Sequence, residues 1–186
     1  MSMNTAPNAE RVHIGIFGKR NAGKSSLINA MTGQDLAIVS DIAGTTTDPV
    51  SKAMELLPLG PVVMIDTPGL DDVGELGTQR IRKATQVMNK CDLAVVVVDA
   101  SEGITDAHQD LLARLEAKNI PHILAMNKCD LLDTVPADTQ AQRYVSAATG
   151  AGIYALKEAI AHLVPTGNNG RRIIADLLQP NDFVVL

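Results

Sequence analysis

The sequence predicts an α/β fold: a mostly parallel central sheet with one antiparallel strand and helices on both faces. Three observations predict it. Short apolar segments alternate with longer amphipathic ones, the pattern that sets helices between parallel strands. Residues 93–98, Leu-Ala-Val-Val-Val-Val, form an unbroken apolar run rich in β-branched side chains, which suits a strand covered on both faces. A glycine-containing turn, 18–25, joins the first apolar run to the first helical stretch.

In chain order, residues 12–17 read as a strand ending at Gly18, and 24–31 as a helix that Gly33 stops. Residues 34–49 hold Gly, Asp, Ser and Thr without an apolar period and read as a loop. Segments 50–57 and 61–65 flank Pro58-Leu-Gly-Pro61 and read as a hairpin, the source of the antiparallel strand. A second loop, 66–77, precedes a helix over 78–89 with Ile81, Ala84, Val87 and Met88 at helical spacing. After the 93–98 strand come a helix at 106–118, carrying Leu111, Leu112 and Leu115, a strand at 121–126 and a short strand at 143–146. The helix 152–163 is stopped by Pro165.

With 186 residues, 46% of them hydrophobic, the chain can bury a core without disulfides or a structural metal. Its net charge of −5 argues against a general nucleic-acid binder, and 2% aromatics against a base-stacking RNA platform. Cys91 and Cys129 lie far apart with no histidine near them in sequence, so neither a local zinc site nor an iron–sulfur cluster is expected in this chain. Free thiols fit a reducing compartment. No apolar leader precedes Arg11 and no apolar run is long enough for a bilayer; a cytoplasmic location without a membrane partner is expected. Residues 1–10 read as a disordered N-terminus and 11–165 as one domain. Residues 166–186 read as a linker, Thr-Gly-Asn-Asn-Gly, a short helix candidate at 173–178 and the start of a truncated following domain.

Gly18-Lys-Arg-Asn-Ala-Gly23-Lys24-Ser25 fits G-x-x-x-x-G-K-S/T, with a strand before it and a helix after it. This predicts a P-loop NTPase. The glycines let backbone N–H groups turn toward phosphate oxygens, and the following helix presents its positive end to the same anion. Gly18, Asn21, Ala22, Gly23, Lys24, Ser25 and Ser26 are the candidate phosphate-loop contacts. Lys24 suits the β- and γ-phosphates, and the Ser25 hydroxyl suits Mg²⁺.

Asn127-Lys128-Cys129-Asp130 follows the 121–126 strand and matches the N-K-x-D motif of GTPases. The chemistry is base-specific. The Asp130 carboxylate accepts from N1–H and the exocyclic amine of guanine; adenine has neither donor there and leaves a desolvated carboxylate unpaired. The Lys128 stem suits the base face, and Asn127 suits a tie to the phosphate loop. Ser146-Ala147-Ala148 resembles the S-A-x motif, whose backbone N–H meets guanine O6. GTP and GDP are therefore the expected ligands.

Asp66-Thr-Pro-Gly69 resembles the D-x-x-G motif, which implies Asp66 as a Mg²⁺ holder and the Gly69 N–H as a γ-phosphate sensor. Gly44-Thr45-Thr46-Thr47-Asp48 resembles the other switch; Thr46 is the candidate Mg²⁺ ligand, with Thr45 and Thr47 as neighbours of the same chemistry. Leu70 stands where Ras-like enzymes place a water-orienting Gln. Leucine orients no water, so charge and positioning must come from elsewhere.

Asn21, the Gly-Thr-Thr switch and an apolar residue at 70 together resemble the TrmE-Era-EngA-type GTPases. That resemblance implies Asn21 as a K⁺ ligand and a homodimer formed across the nucleotide face; the plainer reading of Asn21 is a turn residue suited to left-handed backbone. It also implies Glu75 as a carboxylate that orients water. Asp71 and Asp72 are its rivals, and a solvated acidic loop explains all three. Arg20 reads as an exposed side chain.

The finer text, Ile38-Val-Ser-Asp-Ile-Ala-Gly-Thr-Thr-Thr-Asp-Pro-Val50, Lys52-Ala-Met-Glu-Leu-Leu-Pro-Leu-Gly-Pro-Val62, Asp66-Thr-Pro-Gly-Leu-Asp-Asp and Gly74-Glu-Leu-Gly77, resembles the HydF family of FeFe-hydrogenase maturation GTPases. The resemblance implies a GTP-hydrolysing switch domain of a cofactor scaffold, with HydE, HydG and HydA as partners; the tail Asp176-Leu-Leu-Gln-Pro-Asn-Asp-Phe-Val-Val-Leu186 resembles the entry to that family's dimerisation domain. The alternative is an RNA-linked GTPase of the same superfamily, in ribosome assembly or tRNA modification. The acidic balance and scarce aromatics favour the first.

Overall fold

The structure, a computed structural model, describes residues 11–32, 41–42, 50–67 and 77–164. Seven strands form one sheet: β1 (Val12–Gly18), β2 (Asp41–Ile42), β3 (Val50–Leu56), β4 (Gly60–Asp66), β5 (Leu93–Asp99), β6 (His122–Asn127) and β7 (Gln142–Tyr144), in the spatial order β2-β3-β4-β1-β5-β6-β7. From β4 through β7 every neighbouring pair is parallel. Only β3 runs against its neighbours, pairing antiparallel with both β2 and β4. The helices are α1 (Lys24–Thr32), α2 (Gly77–Lys90), α3 (Asp106–Ala117) and α4 (Ile153–Leu163).

Two apolar layers follow from the two-residue period of the strands. On one face Ile14, Ile16, Val62, Met64, Val95 and Val97 pack with Leu27, Ile28 and Met31 of α1 and with Leu156 and Ile160 of α4. On the other, Val63, Ile65, Val96, Val98, Leu124 and Met126 meet Val87 and Met88 of α2 and Leu111 and Leu115 of α3. The run in β5 is buried along its whole apolar length because both layers need it. At Gly15 the helix layer comes so close that a Cβ would sit 2.7 Å from the Phe17 ring and 3.2 Å from Val87.

The structure adds to the sequence reading in three places. Asp41–Ile42 is a strand, placed inside the stretch expected to be all loop. Two residues paired to Lys52 and Ser51 are too few to show an apolar period. The expected strand at 143–146 lies at Gln142–Tyr144 and ends before Ser146. A 3₁₀ turn, Cys129–Leu131, follows β6. The segments 1–10 and 165–186, with the expected terminal disorder, linker and truncated domain, lie outside the described residues.

The carboxyl ends of β1, β4, β5 and β6 sit side by side. Ile16 is level with Asp66, Gly18 with Val97, and Asp99 with Asn127. Ligands of open parallel sheets bind at this edge. There the chain gathers residues 18–25, Asp66, Asp99 and 127–130.

Candidate functional site

The phosphate loop leaves β1 at Gly18, where a Cβ would lie 2.5 Å from the Val97 carbonyl oxygen of β5. Only glycine permits that approach. The loop then passes through left-handed backbone at Asn21 (φ 62°) and Gly23 (φ 90°). Asn21 thus has the conformation that a turn residue of its type tolerates. The Gly23 carbonyl accepts the Leu27 amide at 2.8 Å, which starts α1. The first-turn amides of a helix have no intrahelical acceptor and carry its positive end. The Lys24 ammonium folds back over the loop, donating to the carbonyls of Gly18 at 3.1 Å and Lys19 at 2.8 Å. Ser25 and Ser26 are exposed at the helix start.

Asp66 ends β4 beside the loop. The next residue is tied to β1, with the Thr67 hydroxyl donating to the Ile16 carbonyl at 2.7 Å. Asp66 Oδ1 is buried and has no hydrogen-bond partner among the described residues. Burial pushes the Asp66 carboxyl above the usual carboxylate range, against the pull of the Lys24 and Lys52 charges. A buried, unsatisfied oxygen of this kind suits a hard divalent cation. No group of three or more His, Cys, Asp or Glu that could hold a metal exists among the described residues. A Mg²⁺ ion here would take protein ligands such as Asp66 and Ser25 with phosphate and water oxygens completing its shell, the usual arrangement for this ion.

Asn127, 2% exposed, joins three segments. Its Nδ2 donates to the Ala22 carbonyl at 2.9 Å and its Oδ1 accepts the Ala147 amide at 3.1 Å. Both ends of the amide are satisfied, as a buried amide requires. Lys128 takes left-handed backbone (φ 63°) and its ammonium meets Asp99 Oδ2 at 2.6 Å. Asp130 stands exposed on the 3₁₀ turn, with Oδ1 accepting the Ser146 hydroxyl at 2.6 Å. Ser146 is itself buried, and its Oγ accepts the Thr149 amide at 3.2 Å. Cys129, between Lys128 and Asp130, is buried, and burial with the Asp130 charge pushes its thiol up. Burial likewise holds the Cys91 thiol at about 11.

The expected phosphate-loop and base-loop residues thus share one end of the sheet. Thr46, Gly69 and Glu75, with Thr45, Thr47, Leu70, Asp71 and Asp72, lie outside the described residues. Between the two loops is a small pocket lined by Lys19, Arg20, Asn21, Ala22, Asp99, Glu102, His108 and Lys128. Asp99, Glu102 and His108 were not singled out from the sequence. The signal for Asp99 was present: it closes the apolar run of β5 as Asn127 closes β6.

Residues 13–128 match the family described as 50S ribosome-binding GTPase. The chain belongs to this GTPase family. It is similar to the tRNA modification GTPase MnmE of Laribacter hongkongensis, 36% identical over 163 residues that cover 83% of this chain and 35% of that protein. It is 40% identical over 159 residues to MnmE of Acinetobacter baylyi, covering 81% of this chain and 34% of that one. The chain therefore spans about a third of the length of these curated relatives. Among solved structures, Aquifex aeolicus Era bound to GDP and AlF4⁻ matches with a TM-score of 0.65 at 26% identity, over 83% of this chain and 57% of that one. The domain is thus a P-loop GTPase that binds and hydrolyses GTP. No helix among its described residues is long and apolar enough to cross a membrane.

The raised Asp66 carboxyl sets the sign of a pH effect. Stability from such a group is full below the unfolded value of 3.8 and is lost as pH rises through the folded value. Asp66→Asn therefore raises the thermal midpoint of the nucleotide-free GTPase at pH 7, and the gain shrinks to nothing below about pH 4. Thermal melts from pH 3.5 to 8 in EDTA check this; an unchanged or lower midpoint at pH 7 contradicts it.

Proposed function

We propose that this GTPase domain is a slow, cation-stimulated molecular switch in which residues 18–26 hold the phosphates and Asp130 reads guanine. The supporting observation is the Asn127 amide, which bonds Ala22 of the phosphate loop and Ala147 of the 146–148 loop at once. That bridge ties the two loops together at one end of the sheet, which supports a single nucleotide spanning them.

In this reading the Lys24 ammonium leaves the neutral loop carbonyls for ionised phosphate oxygens, which strengthens its hydrogen bonds. Gly23 and the first turn of α1 supply backbone N–H donors. Ser25, Thr46 and Asp66 would hold Mg²⁺, which would supply positive charge beside the phosphate oxygens. The Gly69 N–H senses the γ-phosphate. Leu70 orients no water, so Glu75 is the proposed positioning carboxylate, and Asn21 the proposed K⁺ ligand at the phosphates. Asp130 and the backbone of Ser146, Ala147 and Ala148 hold the guanine edge, with Lys128 along its face.

What the switch serves has two readings. The named relatives are tRNA modification GTPases, and they support the RNA-linked reading over the expectation of hydrogenase maturation. The hydrogenase-maturation reading, with HydE, HydG and HydA as partners, retains the resemblance of segments 38–50, 52–62 and 66–77 as its support. Dimerisation across the nucleotide face is compatible with both.

Three experiments test these proposals. Asp130→Asn shifts preference from GTP toward XTP, because the amide can donate to the xanthine O2; competition binding checks it, and unchanged guanine preference refutes the base reader. Hydrolysis in KCl exceeds that in NaCl at equal ionic strength; equal rates remove Asn21 as a K⁺ ligand. Deletion of the gene lowers the content of modified nucleosides in tRNA in the RNA-linked reading and hydrogenase activity in the other, so tRNA mass spectrometry and a hydrogen-evolution assay on one strain separate them.

A further inference from the structure

We propose that Asp99 is a positioning residue for guanine nucleotides: it anchors the Lys128 ammonium so that the lysine stem is already laid out for the base face. The inference rests on the reading of 127–130 as the base loop. Asp99 closes β5 directly across from Asn127 in β6. Its carboxylate is fixed by its own turn, with Oδ1 accepting the Ser101 amide at 2.9 Å and the Ser101 hydroxyl at 2.6 Å. The amides of Glu102 and Gly103 close that turn on the Asp99 carbonyl at 3.1 and 2.9 Å. The remaining oxygen, Oδ2, takes the Lys128 ammonium at 2.6 Å.

The pair is not an ordinary surface contact. The side chains are 13% and 33% exposed for Asp99 and Lys128, so water competes less than at the surface, where ion pairs contribute little. Burial alone raises the Asp99 carboxyl, but hydrogen bonds from Lys128 and Ser101 outweigh it and hold the group below the usual range. The carboxylate is therefore charged at neutral pH. A free lysine loses rotamer entropy when it is laid along a base; one already held at its tip has lost part of it before the ligand arrives, which is preorganisation. The Ala100 amide also bonds the Asn127 carbonyl at 2.8 Å, so the same turn steadies the backbone from which Lys128 projects.

The test uses the 186-residue chain. Asp99→Asn keeps the shape and removes the charge. It should raise the Kd for GTP and GDP and the KM for GTP on the order of ten-fold, the scale of one charge-assisted hydrogen bond, with kcat at saturating GTP unchanged. Ser101→Ala removes only an exposed hydroxyl donor to Asp99 and should weaken binding by about two-fold; it serves if Asp99→Asn does not fold. In a Lys128→Met background, Asp99→Asn should add no further loss, since the anchor has nothing left to hold. Wild-type affinity in Asp99→Asn (in Ser101→Ala if Asp99→Asn does not fold), or the same loss with and without Lys128, overturns the anchor. If the unmodified chain shows no preference for GTP over ATP, the base-loop assignment and the anchor fall together; a normal preference with an unaffected Asp99→Asn defeats the anchor alone.

Discussion

One buried amide, Asn127, constrains the whole nucleotide edge. It sits at the end of β6 between two loops and satisfies a carbonyl on one and an N–H on the other. Taking it away would leave the buried Ala22 carbonyl without a partner, a cost of about 1–3 kcal/mol, and would free the half-buried Ala147 amide as well. The constraint reaches back into the sequence. A side chain at Gly23 would collide with the Asn127 amide nitrogen. The glycine of the phosphate loop is therefore needed for the base loop to dock, as well as for the left-handed turn it occupies.

That amide can act only because the sheet delivers it accurately. Four adjacent parallel strands end along one edge, stepped by two residues from β4 to β1 and again from β1 to β5 and level between β5 and β6, and the two apolar layers fix their register. A one-residue slip of β6 would turn Asn127 from the ligand edge and send Met126 to the other layer. The opposite half of the sheet is built differently. There β3 runs antiparallel between β2 and β4, and its first residue, Val50, pairs with Asp66 at the end of β4. The parallel half and the hairpin half thus meet at the β1–β4 pair.

Most of this architecture was legible from residues alone. The β-branched run of β5, the glycine-framed phosphate loop and the Asn-Lys-Cys-Asp string each carry a local signal strong enough to place an element or a loop. Element ends came within a residue or two, because glycine and proline mark them. Two things were hidden. Asp41–Ile42 pairs through two residues, and so short a strand owes its existence to the β3 partner and not to its own pattern. Asp99 looked like the polar end of a strand; its pairing with Lys128 depends on β5 and β6 being neighbours, a fact of topology that no sequence window contains. The named relatives also carried weight that the motif text did not, since they are described as tRNA modification GTPases and not as hydrogenase-maturation proteins.

The two thiols have a chemical consequence. Oxidants and alkylating agents attack the thiolate, and both Cys91 and Cys129 are held in the protonated form. Cys129 sits one residue from the carboxylate proposed to read guanine, yet the same carboxylate and the surrounding apolar packing suppress its ionisation. At neutral pH each thiol therefore offers little thiolate for peroxide or an alkylating agent to attack.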